Sequence, residues 1–249
     1  MYPDLIVPII QLNNQMSQGV MITREITFPK CRGKFIAFLE GDDYWANDDR
    51  LQMQVDAMLN NPNVFLCVGK TQYIDCRTND TTIVVPLDSF AFKPGIIPPD
   101  YYNRRIWVDG AYFHTSSFLM KREVLVAHFN CKFGTFSNGD QAWLRMASVL
   151  GEIFFFDELF SYRRIMADNS WNKWYHDASS EIRNKWLFKR ALGALYFDLE
   201  TDKQYHKYVC VDLIRTCYLI VENYRKDITQ TPSSSRRRSS VVKLPSHST

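Results

Sequence analysis

At 249 residues, 46% hydrophobic and 14% aromatic, the chain can bury a sizeable core, which excludes an intrinsically disordered protein and suggests one or two domains. It holds no run of about 18 uncharged apolar residues, so no transmembrane span is expected. The net charge of +3 resides in the last 19 residues, where Arg236, Arg237, Arg238 and Lys243 stand without an acid; the remaining −1 argues against nucleic acid as a partner.

Asp4 comes early with no apolar stretch behind it, so no signal peptide is expected. The six cysteines (31, 67, 76, 131, 210 and 217) show no metal-binding spacing. Together these features predict a cytoplasmic protein with buried, inert thiols.

In chain order, KFIAFLE at 34–40 reads as a short buried strand bounded by Gly33 and Gly41. A helix comes next, capped by Asn47 or Asp48, with Leu51, Val55, Met58 and Leu59 as its apolar stripe. Asn60, Asn61 and Pro62 stop it, and VFLCVG at 64–69 is a second strand. Strand, helix and strand at this spacing predict a parallel β-α-β unit. TTIVVP at 81–86 reads as another strand, Pro94 to Pro99 as a loop, and 111–120 as strand-like. Residues 139–150 predict a helix with Trp143, Met146, Ala147 and Leu150 on one face, then a strand at 152–157. Helical patterns over roughly 176–200 and 203–224 close the fold, and the Ser-, Pro- and Arg-rich residues from 230 predict a disordered tail.

The first strand runs directly into Glu40, Asp42 and Asp43. Carboxylates this close raise one another's pKa, so a positive group is expected among them. Acids at the carboxyl end of a parallel strand stand where α/β proteins bind ligands. Hard oxygen donors there suit Mg²⁺ or Mn²⁺ carrying a diphosphate. The alternative is a solvated turn that caps the next helix.

GKFIAFLEGDDYW, with LQMQVDAMLNNP after it, resembles the family 2 glycosyltransferases of the GT-A fold. The resemblance implies an α/β, Rossmann-like, mainly parallel sheet flanked by helices. It also implies an acidic motif, here Glu40, Asp42 and Asp43, that holds Mg²⁺ or Mn²⁺ on a nucleotide-sugar diphosphate. Asp42 and Asp43 are the implied metal ligands, and Glu40, Asp42 and Arg24 the implied donor-binding residues. SNGDQAWLRMASVLGEIFFFDELFSYRRIMADNSW resembles the family's acceptor-side segment, in which Asp140 matches the catalytic base. The implied reaction is inverting transfer of a sugar, UDP-linked, to a hydroxyl on a glycan or other acceptor.

The chain departs from the family pattern in two places. A histidine common in the segment after the last strand is replaced by Arg163, Arg164, Ile165 and Met166. At the front, YPDLIVPIIQLNNQ resembles the strand and loop just after the usual nucleotide-binding strands, so about 50 residues of such a unit are expected to be missing. The expected organisation is a transferase domain at 1–175, a helical extension at 176–229 and the tail at 230–249. Two other readings compete: a truncated, non-catalytic descendant acting as a binding or scaffold protein, and a Mg²⁺-dependent phosphoryl or prenyl-diphosphate enzyme using DDYWANDD.

Overall fold

A computed structural model describes residues 6–15, 18–81, 83–136, 139–166 and 171–230. The expected tail from 231 onward lies outside them. The strands are β1 (Phe35–Ala37), β2 (Tyr44–Trp45), β3 (Val64–Asp75), β4 (Val84–Val85), β5 (Gly95–Ile97), β6 (Leu119–Lys121) and β7 (Glu152–Ile165). The α-helices are α1 (Arg50–Asn60), α2 (Pro99–Asn103), α3 (Arg122–Asn130), α4 (Phe133–Phe136), α5 (Gly139–Leu150), α6 (Trp171–Asp177), α7 (Ser180–Glu200) and α8 (His206–Gln230).

The α/β class is the expected one. The sheet runs β1-β6-β3-β7-β2, with β4 on β3 and β5 on β7. The long central pair β3–β7 is parallel, whereas the short pairings around it are antiparallel. Because β6 is antiparallel to both β1 and β3, those two run in the same direction, and the β1-α1-β3 crossover passes over the inserted β6.

Several elements differ from expectation in extent, and strand partners explain how. β1 ends at Ala37 because its partner β6 has only three residues; Phe38 N–H still reaches Phe118 O at 3.3 Å, and the chain then turns. Glu40 therefore belongs to a turn. β3 and β7 are each extended by the other, paired from Val64 opposite Glu152 to Asp75 opposite Ile165 with register shifts between Val64 and Leu66 and between Val68 and Thr71. Gly95-Ile96-Ile97, expected in a loop, forms an edge strand on β7 with its prolines outside the ladder. In 111–120 only Leu119 and Met120 are strand, after a helical turn at Thr115–Ser117.

The sheet is covered on both faces. On one, Leu66, Val68, Met120, Ile153 and Phe155 pack with α3, α5 and residues of α7 and α8 such as Phe197 and Val209. On the other, Ala57 and Met58 of α1 cover Val64, Cys67 and Leu119. In α1 the expected stripe is only partly right: Leu59 is exposed, and Arg50 and Gln54 are buried instead. No side chain caps α1 at its N-cap, Asp49. Of the six free thiols, Cys67 is buried but Cys76 and Cys217 are exposed, so the expectation of uniformly buried thiols fails. No helix among the described residues is long and apolar enough to cross a membrane.

Gly69 keeps the central pair close. A Cβ there would meet the buried Phe160 ring from 2.2 Å. Gly69→Ala should cost about 1–3 kcal/mol in urea unfolding; a loss below about 0.5 kcal/mol would show that the ring can step aside.

Candidate active site

The turn after β1 brings its acids against the segment that precedes β6. Asp43 N–H donates to Glu40 O at 3.1 Å and closes the turn. Ser116 joins both acids: its hydroxyl accepts from Glu40 N–H at 3.2 Å and donates to Asp43 Oδ2 at 2.5 Å. His114, wholly buried, lies with Nδ1 3.4 Å from Asp43 Oδ2 and Nε2 3.9 Å from Glu40 Oε1. Nε2 is buried without a hydrogen-bond partner. Glu40, Asp43 and His114 thus offer three ligand atoms within 4.8 Å of one another, a group that can hold a metal ion.

Arg50 fixes this segment from beneath. Its guanidinium is fully buried and donates to Ser116 O and to Phe118 O at 3.2 Å, while Nε reaches Gln54 Oε1 at 3.3 Å. Gln54 in turn donates to Ser117 O at 2.8 Å. The first turns of α1 therefore fasten the segment that follows His114. A buried arginine is tolerated because its fork is filled.

The positive group expected among the acids comes from the end of β7. Arg163 donates to Tyr73 Oη at 3.0 Å and bears electrostatically on Glu40 and Asp43. Burial alone would lower the Arg163 pKa, but Tyr73, Tyr112 and Glu40 outweigh it and the net shift is upward. Arg164 N–H reaches Asp43 Oδ1 at 3.4 Å, and its side chain holds Asp42 O.

Burial is the main cause that raises the pKa of Glu40 and of Asp43; Arg163 opposes the rise in Glu40 and the Ser116 hydrogen bond opposes it in Asp43. Burial, with help from Arg163, drives His114 down to about 3, so its imidazole is neutral. A neutral imidazole beside two carboxylates suits a divalent cation, because an unprotonated ring nitrogen offers a lone pair and a cation favours the charged form of both acids.

The site residues named from sequence distribute unevenly. Asp43 and Glu40 enter the group. The Asp42 carboxylate stays outside it, though near enough to raise the pKa of both. Arg24 lies 5.9 Å above the Phe129 ring. Asp140 opens α5, where Oδ2 accepts from Tyr112 Oη at 2.9 Å and Oδ1 from Gln141 N–H at 2.7 Å; its charge reaches Glu40. His114, Ser116, Tyr73, Tyr112 and Arg163 were not found from sequence. The available signal was AYFHTSSFLM, where four polar residues interrupt an apolar run, together with the need for a cation among the acids.

The family model for glycosyl transferase family 2 matches residues 7–129. Among solved structures, the chain is similar to three crystal structures of TarS from S. aureus. The first, residues 1–349 in complex with UDP-GlcNAc, is 14% identical with a TM-score of 0.47, covering 84% of this chain and 52% of that one. A second, of TarS 1–349, gives 12% identity and a TM-score of 0.44, covering 82% of this chain and 70% of that one. The third gives 14% and 0.45, covering 84% and 31%. The chain spans about half the length of the first of these. No curated protein matches.

The His114 shift has a stability consequence. The folded protein keeps the imidazole neutral down to about pH 3, whereas the unfolded chain protonates it below 6.5. Stability linked to His114 is therefore fully present above pH 6.5 and drains as pH falls toward 3. The raised carboxylates act with the opposite sign, gaining stability as pH falls through their folded pKa values. In metal-free protein, His114→Gln should lose about 1.4 kcal/mol per pH unit less than wild type between about pH 6 and about pH 4. Equal slopes in urea unfolding would show that His114 takes its proton in the folded state.

Proposed function

We propose that the chain transfers a sugar from a nucleotide-sugar donor, UDP-linked, to an acceptor hydroxyl with inversion, assisted by Mg²⁺ or Mn²⁺. The observation that carries this reading is the convergence of two groups on one site in a chain that matches the family 2 model. One is the metal-type donor set of Glu40, Asp43 and His114; the other is the Asp140 carboxylate, placed on a separate element.

The roles divide by chemistry. Glu40, Asp43 and His114 would hold the cation, with Asp42 adding negative charge beside it. A divalent cation supplies charge neutralisation for the departing diphosphate. Arg163 is assigned to the same developing charge, since it faces the acids from β7; Arg24, seated on Phe129, is not given that role. Ser116 and Arg50 act by holding the ligands in place.

Asp140 takes the proton of the attacking hydroxyl. Its two hydrogen bonds, from Tyr112 Oη and Gln141 N–H, fix the direction of the carboxylate and leave lone pairs for that proton. A base separate from the cation ligands is what a single displacement requires, and single displacement gives inversion.

Asp140→Asn keeps size and polarity but cannot accept the proton. In the full-length protein it should lower transfer, read as UDP release over a panel of UDP-sugars and hydroxyl acceptors, by about 10²–10⁴-fold. Donor affinity by calorimetry should stay within a few-fold. Transfer within about tenfold of wild type would mean the base lies elsewhere.

A further inference from the structure

A second built site lies one turn further along α5. Between α5, α7 and residues 106–111 is a cleft of about 270 Å³, lined among others by Gly110, Ala111, Gln141, Arg145, Trp186 and Arg190. Arg145 is 3% exposed and stacks on the Trp107 ring, its guanidinium carbon 3.7 Å from the centroid. Nε is buried without a partner. Among the described residues, no carboxylate comes within ion-pair distance of the guanidinium. The contrast with Arg50, equally buried but with its fork filled, is direct.

The acid that bears most on Arg145 is already engaged. Asp212, buried on α8, accepts from Arg190 and, at 2.7 Å, from Arg215. Arg190 and Arg215 thus take the carboxylate whose charge also bears on Arg145, and Arg145 and Arg190 line the cleft. An arginine cannot relieve burial by losing its proton at neutral pH: even lowered by burial, Arg145 titrates at about 10. An uncompensated buried cation is strongly unfavourable unless an anion completes it. A planar guanidinium with an unpaired Nε matches the oxygens of a phosphate or carboxylate.

We propose that this cleft is an oxyanion site, in which Arg145 takes two oxygens of a phosphate or carboxylate, with Arg190 and Gln141 beside it. Gln141 and Arg145 stand four residues apart and so share the cleft-facing side of α5. Asp140 is five residues before Arg145, about 7.5 Å along the helix axis. On the reading of Asp140 as base, which this step rests on, the acceptor carries the anion, seated at Arg145 while its attacking hydroxyl meets Asp140.

Calorimetric titration of the protein with inorganic phosphate at fixed ionic strength tests the site. Wild type should bind one phosphate saturably. Arg145→Gln should weaken it at least tenfold. Gln141→Glu should do the same while leaving the fold intact, because its carboxylate fills the place of the anion beside Arg145; this variant carries the test if Arg145→Gln does not fold. Acetate in a parallel titration separates a carboxylate-accepting site from one confined to phosphate. Glucose 6-phosphate should bind more tightly than phosphate, and Asp140→Asn should remove the surplus. No saturable phosphate binding in wild type, or unchanged affinity in both cleft variants, overturns the site. Equal affinity for glucose 6-phosphate and phosphate overturns its link to the acceptor. Because the titration involves no donor and no turnover, it can succeed where the assignment of Asp140 as base fails, and fail where that assignment holds.

Discussion

The carboxylate of Asp43 is 1% exposed, and most of the site answers to that burial. A buried carboxylate must be hydrogen-bonded, paired or neutralised. Here Ser116 donates to one oxygen, the Arg164 N–H approaches the other, and the neutral imidazole of His114 stands beside it. None of these partners is local in sequence: they arrive from the segment before β6 and from the end of β7. The sheet order, which sets β6 and β7 on either side of β3, is therefore a condition for burying this acid.

Arg50 turns that arrangement into a rigid one. Its buried guanidinium ties α1 to the backbone at Ser116 and Phe118, while α1 itself begins just after the acidic turn. Arg50 thus fixes the segment that carries His114 and Ser116, and Ser116 in turn joins that segment to Glu40 and Asp43. Arg145 shows the opposite case, a buried guanidinium whose Nε has no partner. The same residue type closes one site and leaves a second able to take a ligand.

How much of this was legible in the sequence depended on how local its cause was. The turn with its acids, α1, α5 with Asp140, and the long C-terminal helices all arise from periodicity and punctuation within a few residues. Strand lengths did not, since β1 is cut short by the brevity of β6, and β3 and β7 lengthen each other. Arg50 and Gln54 were misjudged because an amphipathic stripe counts apolar residues, whereas a saturated guanidinium also packs inside. His114 and Arg163 were invisible for another reason. Their role exists only through contacts with residues 71 to 123 positions away, and no spacing rule reaches that far.

The central claim is that Glu40, Asp43 and His114 form a divalent-cation site. Titration of Mn²⁺ followed by electron paramagnetic resonance, on wild type and Asp43→Asn at neutral pH, tests it most directly. The account predicts one saturable Mn²⁺ site in wild type, weakened at least about tenfold when the charge of Asp43 is removed. Equal Mn²⁺ affinity in the two proteins, or no saturable binding in wild type, would contradict it.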